Sequence, residues 1–284
     1  MPDHVAAPLR ALARSFPASP RPEGLRWHLD GYVVDYLARG TGTRLVVTFS
    51  ARMDSYPDAR DVQHWGEGFV RKRGVSALHV QPLQSCWYRG RTLESFMQAA
   101  RDAGLFAAHD RVMTYGGSMG GFGALSFAGI TGAQAVLAMN PQTRLGPSVR
   151  DWETRFVDAD AQDWTHPLCD IPQQAARVEL PVLVYDPWLR PDRRQAELAG
   201  LTQAVHLHVP FAGHRTPGHL QHMGMLGSLF DQCMEGRVDR ADFHLRVRAR
   251  RSLVAWRTRM LAAARSPARK ARIAALLAAL PPGR

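Results

Sequence analysis

The stretch Val112–Leu125, VMTYGGSMGGFGAL, decides the fold of this chain of 284 residues. Its first part is a run of apolar and β-prone residues that predicts a buried strand, and its last part predicts a helix. Between them, Gly116-Gly117-Ser118-Met119-Gly120 places a serine at a turn with glycine two residues to either side. Glycine is needed there because the strand and helix backbones approach closely, and such a turn holds the serine in a strained conformation that projects its hydroxyl.

Chance explains this pattern poorly. The chain has 24 glycines, so a given serine has glycine at both positions with a probability of about 0.7%, and all its serines together give roughly 0.1 accidental matches. The alternative interpretation is a glycine-rich turn that carries a surface serine. The predicted strand and helix on either side of Ser118 disfavour it.

Apolar runs recur on both sides of this stretch. Arg26–Leu29 and Tyr32–Ala38 are separated by Asp30-Gly31, a strong hairpin sequence, and predict two antiparallel strands. Six more strands are predicted at Arg44–Ser50, Ser76–Gln81, Val112–Tyr115, Ala135–Met139, Val182–Tyr185 and Ala204–Val209. Helices are predicted between them at Asp61–Lys72, Thr92–Ala103, Gly120–Gly129 and Arg193–Leu201. This alternation predicts the α/β class, with a mostly parallel eight-stranded sheet flanked by helices.

The strand, turn and helix around Ser118 resemble the nucleophile elbow of the α/β-hydrolase superfamily, and the order of strands over residues 26–209 is similar to that fold. The resemblance implies that Ser118 is a nucleophile. It also implies an oxyanion hole made by the backbone N–H of Met119 and a second N–H from the loop after RLVVTFS. By position that donor is Ala51, with Ser50 as the neighbouring alternative. The loop lacks the HG or HGGG motif.

A serine hydroxyl is a weak nucleophile and needs a base, which superfamily order places after the last strand. His214 fits in VHLHVPFAGHRTPGHL, and His219 is the alternative. The acid lies between serine and histidine, where Asp186 and Asp192 follow the strand PVLVY. Asp192 is favoured because its place in the loop lets it reach His214, and Asp186 then braces the loop through backbone N–H groups. The opposite assignment stays open, with Asp192 capping the next helix.

Trp87-Tyr88 follows the strand Ser76–Gln81 on the same edge of the predicted sheet, and we predict that both bind substrate. Such aromatics stack on a sugar or flank an acyl chain, although they also suit packing under a cap. Together with a YDP…D segment after the later strand, they resemble hydrolase-like proteins of bacterial surface-glycan systems. The neighbouring Cys86 is interpreted as a packing residue.

Residues 1–24 show no sustained period and are predicted to be a loose leader. Residues 25–240 are expected to form the α/β-hydrolase domain. Within it, residues 146–176 interrupt the alternation of strands and helices, and we predict a helical cap that overhangs the site. The alternative is an ordinary surface excursion.

The net charge of +11 is concentrated at one end of the chain. Residues 241–284 contain 11 Lys and Arg and one Asp, a net charge of +10, so the remainder is close to neutral. This segment is predicted to be a basic helical extension of two helices broken near Ser266-Pro267. It could dock an anionic partner, such as nucleic acid or lipid, or another protein.

The sequence has no apolar run of about 18 residues that would span a membrane, no secretory signal and no cysteine framework, so we expect a cytoplasmic location. Clustered histidines raise a metal enzyme as an alternative: His206, His208, His214, His219 and His222. Without HExxH or carboxylates to complete a site, we expect no metal and no cofactor. The predicted function is a serine hydrolase that cleaves an ester, thioester or amide through an acyl-enzyme on Ser118. The alternatives are an acyltransferase, including one that acts on glycans, and a non-catalytic binding protein with a basic tail.

Overall fold

A computed structural model describes residues 2–39 and 43–280 of the chain. Within them, nine strands form one sheet in the order β1-β2-β3-β5-β4-β6-β7-β8-β9. The strands are β1 Ala18–Arg21, β2 Gly24–Leu29, β3 Tyr32–Leu37, β4 Arg44–Phe49, β5 Ser76–Pro82, β6 Arg111–Gly117, β7 Ala135–Met139, β8 Leu180–Tyr185 and β9 Val205–His208. β1, β2, β3 and β5 pair antiparallel, and all pairs from β5 through β4 to β9 are parallel.

Helices connect the parallel strands and cover the sheet. They are α1 Asp3–Ser15, α2 Glu67–Arg71, α3 Arg91–Asp102, α4 Met119–Ser126, α5 Ala128–Thr131, α6 Ile171–Gln174, α7 Arg190–Leu198, α8 Thr216–His222, α9 Leu226–Met234, α10 Arg240–Arg246, α11 Val254–Ala262 and α12 Pro267–Ala278. Short 3₁₀ turns lie at Pro147–Val149, Val157–Ala161, Pro167–Cys169, Gly213–Arg215 and Val247–Ser252.

The central strands are buried on both faces because apolar residues occupy successive positions. Leu45, Val47 and Phe49 of β4 face a core that also includes α1, α3 and α4, whereas Val46 faces a second core with α2, α8 and α9. Side chains alternate between the faces of a strand, so a continuous apolar run supplies both cores. The carboxyl ends of the parallel strands therefore meet at one edge, where the loops project.

The mostly parallel sheet flanked by helices is as predicted, but it has nine strands in the described residues instead of eight. The additional strand, β1, lies in the segment that we expected to be a loose leader. Val5, Leu9 and Leu12 of α1 are buried in the core. β1 pairs with β2 through backbone hydrogen bonds, and its four residues, ASPR, carry no apolar alternation. Met1, part of the predicted leader, lies outside the described residues.

Residues 146–176, predicted as a helical cap, consist mainly of 3₁₀ turns and the single turn α6. Trp164 packs edge-on against Phe122 of α4 and contacts Trp87. These contacts attach the segment to the body of the protein, on the side of the sheet that carries α4.

The basic extension is described as far as Leu280, and residues 281–284 lie outside the described residues. Phe243 of α10 belongs to the second core, whereas Leu253, Trp256 and Leu277 form a separate small cluster between α11 and α12. α12 begins after Ser266, at the predicted break. Upstream of it, the predicted first helix is divided into α10 and α11 by the 3₁₀ turn.

Among the helices of residues 2–39 and 43–280, none combines the length and the apolar character needed to cross a bilayer.

Candidate active site

Ser118 sits at a strained turn between β6 and α4. Its backbone angles are φ 56° and ψ −122°, a conformation that residues other than glycine rarely adopt. A Cβ on Gly116 would overlap the carbonyl of Gly120, and a Cβ on Gly120 would overlap the carbonyl of Phe49. The two glycines thus allow β4, β6 and α4 to converge at the turn, which the Ser118 N–H anchors to Met139 O at 2.8 Å.

The Ser118 hydroxyl contacts an imidazole from the far end of the sheet. Ser118 Oγ lies 2.8 Å from His214 Nε2, and His214 Nδ1 lies 2.8 Å from Asp192 Oδ2. His214 belongs to the 3₁₀ turn that follows β9, and its side chain is 29% exposed, whereas that of Asp192 is fully buried. The chain of hydrogen bonds therefore opens to solvent at the imidazole and is sealed at the carboxylate.

Asp192 lies in the first turn of α7 and is held by three side chains. His214 and Asn140 Nδ2, at 2.8 Å each, share Oδ2, and Arg155 Nη1 donates to Oδ1 at 2.7 Å. Burial opposes ionisation, but the hydrogen bonds from His214 and Arg155 and the positive charge of Arg155 outweigh it and lower the pKa of Asp192. A carboxylate only accepts hydrogen bonds, so His214 Nδ1 carries the proton and Nε2 is left as an acceptor facing Ser118.

Asp186, the alternative acid, has a different position. It follows β8, and its oxygens accept from Gly213 N at 2.8 Å and Trp188 N at 2.9 Å. These bonds brace the loop that carries His214 but do not involve the imidazole. His219, the alternative base, lies within α8, where Nδ1 contacts Arg215 O at 3.1 Å. The structure thus brings together Ser118, His214 and Asp192 and leaves both alternatives outside this contact.

Of the two predicted oxyanion donors, Met119 directly follows Ser118 and Ala51 lies in the loop after β4. Met119 is the first residue of α4, whose initial N–H groups have no partner within the helix. After β4, the Ser50 N–H donates to Val80 O at 3.3 Å, and Tyr88 Oη donates to Ser50 O at 2.6 Å. Because the Ser50 amide is already engaged, Ala51 is the better placed of the two alternatives in this loop.

The similarity of this chain to known proteins lies in its fold. No family model matches the sequence, and a search of curated proteins finds no similar sequence. Among solved structures, a Staphylococcus aureus protein of unknown function matches with a TM-score of 0.51 at 10% identity, over 71% of this chain and 94% of that one. The capsule O-acetyltransferase of Neisseria meningitidis serogroup A matches with a TM-score of 0.50 at 10% identity, over 78% of this chain and 99% of that one.

A third match is the Glycosylation Associate Protein (Gap123) complex of Streptococcus agalactiae, with a TM-score of 0.50 at 13% identity, over 76% of this chain and 48% of that one. These similarities concern the fold. Together with the order of the strands and the elbow at Ser118, they decide the architecture. The chain has an α/β-hydrolase fold.

Trp87 and Tyr88, predicted to bind substrate, are core residues of this α/β-hydrolase fold. They are 0% and 1% exposed. Their positive φ angles of 49° and 55° turn the loop inward, so that Trp87 packs on Phe156 at 5.2 Å between ring centres and Tyr88 on Phe49 at 5.1 Å. Neither ring presents a face on which a sugar could stack. Tyr88 instead supports the loop after β4 through its hydrogen bond to Ser50. Cys86 is likewise buried.

Two polar residues after β7 take part in the site and were not predicted. Gln142 Oε1 lies 2.9 Å from Ser118 Oγ, as an alternative acceptor to His214 Nε2 for the single hydroxyl proton, and Gln142 Nε2 donates to Asn140 O at 2.8 Å. Asn140, with φ 47°, donates from Nδ2 to Asp192 and, at 3.4 Å, to Gly213 O. The sequence did offer an indication, because Asn-Pro-Gln directly follows the buried strand AVLAM at the carboxyl edge of the sheet.

The segment 146–176 contributes one wall of the site. Arg155 donates through Nη1 to Asp192 and through Nε and Nη2 to Glu153, which is buried. The ring of Phe156 lies 6.1 Å from that of His214. The segment therefore reaches the imidazole and its acid through two adjacent residues.

Two of the remaining histidines share a hydrogen-bond partner. His206 and His208 of β9 both contact Tyr185 Oη at 3.1 Å. Within the described ranges 2–39 and 43–280, no group of three or more His, Cys, Asp or Glu side chains is placed to hold a metal ion.

Proposed function

We propose that the protein is a serine hydrolase that cleaves an ester through a covalent acyl-enzyme on Ser118, with His214 as the base and Asp192 as the acid. The observation that carries the proposal is the 2.8 Å contact between Ser118 Oγ and His214 Nε2 at a strained strand-to-helix turn. A hydroxyl beside an acceptor imidazole, itself oriented by a carboxylate, is the arrangement that activates serine for attack on a carbonyl.

In the acylation step, Ser118 Oγ forms a bond to the carbonyl carbon while its proton moves to His214 Nε2. The electron pair of the carbonyl π bond shifts to oxygen. Asp192 stabilises the resulting imidazolium, and its lowered pKa keeps it ionised at neutral pH. We assign the Met119 and Ala51 amides to the developing oxyanion.

The tetrahedral intermediate then collapses. The bond from carbon to the leaving oxygen breaks, and His214 gives its proton to that oxygen, which departs as an alcohol. A water molecule repeats the sequence on the acyl-enzyme, with His214 removing its proton and Ser118 recovering one at the end. The 29% exposure of the His214 side chain supports this step, because water must approach Nε2.

The test of the nucleophile is Ser118→Ala, with Ser148→Ala, an exposed serine, as the matched control. We expect Ser118→Ala to lose labelling by a fluorophosphonate probe and to lower p-nitrophenyl acetate turnover by about 10⁴-fold or more. The control should label and turn over as the parent protein does. Undiminished labelling of folded Ser118→Ala would overturn the proposal.

Acyl transfer is a second candidate, because one fold neighbour is named a capsule O-acetyltransferase. The acyl-enzyme would be the same, and the acceptor hydroxyl would replace water. A p-nitrophenyl acetate assay with an added oligosaccharide separates them. Hydrolysis predicts that free acetate accounts for the nitrophenol released, whereas acetylated oligosaccharide as the main product would replace hydrolase by acyltransferase.

A further inference from the structure

A surface groove lies between α11, α12 and the loop after β9, well removed in sequence from Ser118. It encloses about 340 Å³ and is lined by Phe211, Met260, Ile273, Leu276 and other apolar side chains, together with two arginines. We call it the basic groove. Leu276 at its edge is 68% exposed, and Val254 of α11 is 54% exposed. Uncovered aliphatic side chains beside an apolar cavity are unfavourable in water and suit an apolar ligand.

Positive charge predominates around the basic groove, although Asp186 acts on Arg250 at its inner side. The sequence contains no Asp or Glu after Asp242. Arg269, Lys270 and Arg272 are exposed on the first turns of α12, directly before its aliphatic half. Surface arginines elsewhere in this protein are often paired with nearby carboxylates, whereas residues 243–280 supply none of their own. A polyvalent anionic surface is the complementary partner.

Arg250 shows the same imbalance inside the basic groove. It lies 5.6 Å over the Trp256 ring and donates to Val247 O, but its buried Nε has no hydrogen-bond partner within the described residues. Burial lowers the pKa of Arg250, repulsion from Arg251 and Arg248 lowers it further, and attraction by Asp186 offsets only part of this. An anionic group in the groove would relieve this repulsion.

We propose that the basic groove docks this protein on a membrane surface that contains acidic phospholipid. Arginines would contact lipid phosphates, and Leu276 with its aliphatic neighbours would enter the acyl-chain boundary. Nucleic acid would use the cations but would leave the exposed aliphatic side chains without a partner. The membrane is therefore the occupant that uses both features of the surface.

The basic groove is attached to the loop that carries His214. Trp256 Nε1 donates to Pro210 O at 2.9 Å, and the Arg259 guanidinium occupies the space that a Cβ on Gly213 would need. Docking would therefore hold the His214 loop near the lipid surface, where substrates with acyl chains reside. The docking itself does not rest on the function proposed for Ser118, and the tests are separable.

The experiment is co-sedimentation of the full-length protein with vesicles. We expect binding to phosphatidylcholine vesicles that contain about 30 mol% phosphatidylglycerol and little binding to phosphatidylcholine alone. Because salt screens exposed charges, binding should weaken between about 0.1 M and about 0.5 M salt. Equal binding to both vesicle types would overturn the proposal.

Two charge variants give a matched comparison. Arg269→Gln/Arg272→Gln should bind about 25-fold more weakly, since each cation near an anionic membrane contributes about fivefold. Arg91→Gln/Arg101→Gln removes the same charge from exposed positions on α3 and should bind within about twofold of the parent protein. Equal weakening of both variants would show attraction by net charge alone and overturn the assignment to the basic groove.

Leu276→Ser tests the apolar contribution without changing the charge. We expect about tenfold weaker vesicle binding, because a leucine that enters the acyl-chain boundary loses most of its favourable transfer energy. Fluorophosphonate labelling of all three variants in solution should equal that of the parent protein, which separates loss of docking from loss of the proposed catalysis. Retention on a 20-mer oligonucleotide that exceeds retention on the acidic vesicles, at the same salt, would assign the groove to nucleic acid instead.

Discussion

Two pairs of histidine and aspartate in this molecule have similar nitrogen–oxygen distances and different surroundings. His214 Nδ1 lies 2.8 Å from Asp192, and His64 Nε2 lies 2.9 Å from Asp35. Both carboxylates are fully buried, but the His214 side chain is 29% exposed and that of His64 only 1%. The same two residue types therefore form one site open to a substrate and one sealed within the protein.

The two imidazoles also differ in their second neighbour. His214 Nε2 meets the strained Ser118 hydroxyl, whereas the His64 ring stacks on His79 with 5.3 Å between centres. His79 Nδ1 contacts Thr48 Oγ1 at 2.6 Å, so a hydroxyl is present in the interior as well. A hydroxyl, imidazoles and a carboxylate close together are thus not sufficient to indicate an active site. The group around Ser118 differs because its imidazole is accessible from solvent and its hydroxyl lies at a tight turn.

The largest expected effect comes from Asp192→Asn. Arg155 and the carboxamide oxygen would remain paired, so the new NH₂ group would face His214 Nδ1 and donate to it. The imidazole would then carry its proton on Nε2, toward Ser118, and could not accept the serine proton. We expect kcat for p-nitrophenyl acetate to fall by about 10⁴-fold with little change in folding.

Asp186→Asn is the matched control for that change, because Asp186 accepts only backbone N–H groups of Gly213 and Trp188. We expect a reduction of about tenfold or less in kcat, through looser support of the His214 loop. If Asp186→Asn were the more damaging substitution, the roles assigned to the two carboxylates would have to be exchanged.

Asp35→Asn should affect stability and spare activity. Asp35 accepts from Arg26 through two hydrogen bonds and is also paired with Arg21. Without the carboxylate these cations lose their partner, and we expect the free energy of unfolding in urea at neutral pH to fall by about 3 kcal/mol. Turnover per folded molecule should stay within about twofold of the parent value.

The loss of unfolding free energy in Asp35→Asn should depend on pH, which tests the role of the carboxylate. Burial opposes ionisation of Asp35, but Arg26 and His64 prevail and lower its pKa below the ordinary value of 3.8. The contribution of the carboxylate is therefore present above that value and is lost as the pH falls through the lower, folded pKa. The parent protein and Asp35→Asn should converge in stability under strong acid, and a constant gap would contradict this explanation.

The smallest effect is expected for His79→Gln. Burial, with repulsion from His64, lowers the pKa of His79 to about 3, whereas the unfolded chain binds this proton below 6.5. As the pH falls, the unfolded state thus binds this proton at a higher pH than the folded state does. The free energy of unfolding therefore falls as the pH drops from 6.5 toward 3. Between pH 6.5 and about pH 5 the parent protein should lose about 2 kcal/mol more than His79→Gln, as measured by urea unfolding. Parallel pH profiles would mean that His79 is not held neutral.

Much of the parallel sheet could be predicted because its strands are uninterrupted apolar runs, which are required only where both faces are buried. The proximity of Ser118 and His214 could be predicted for the same reason, since both follow parallel strands whose carboxyl ends share one edge. The catalytic roles of these residues stay predictions until the variants are measured.

Other features depend on contacts that no local pattern encodes. β1 has no apolar alternation because its pairing is through the backbone at the edge of the sheet. Trp87 and Tyr88 follow a strand at the expected edge, but the sign of their φ angles decides that they turn inward. Arg155 and Asp192 are 37 positions apart in the sequence, and the residues next to Arg155 do not indicate that the two side chains meet.

Asn140 links the end of β7 to β8, to α7 and to the 3₁₀ turn after β9. Its N–H donates to Val184 O of β8, and its side-chain Nδ2 donates to Asp192 and to Gly213 O. Its carbonyl accepts a hydrogen bond from Gln142 Nε2. The loops after β7, β8 and β9 are therefore fastened at one amide and should shift as a single rigid unit. The Ser118 turn is fastened to the same edge, because its N–H donates to Met139 O directly before Asn140. A shift of this edge should therefore carry the hydroxyl, the imidazole and the carboxylate together and preserve their spacing.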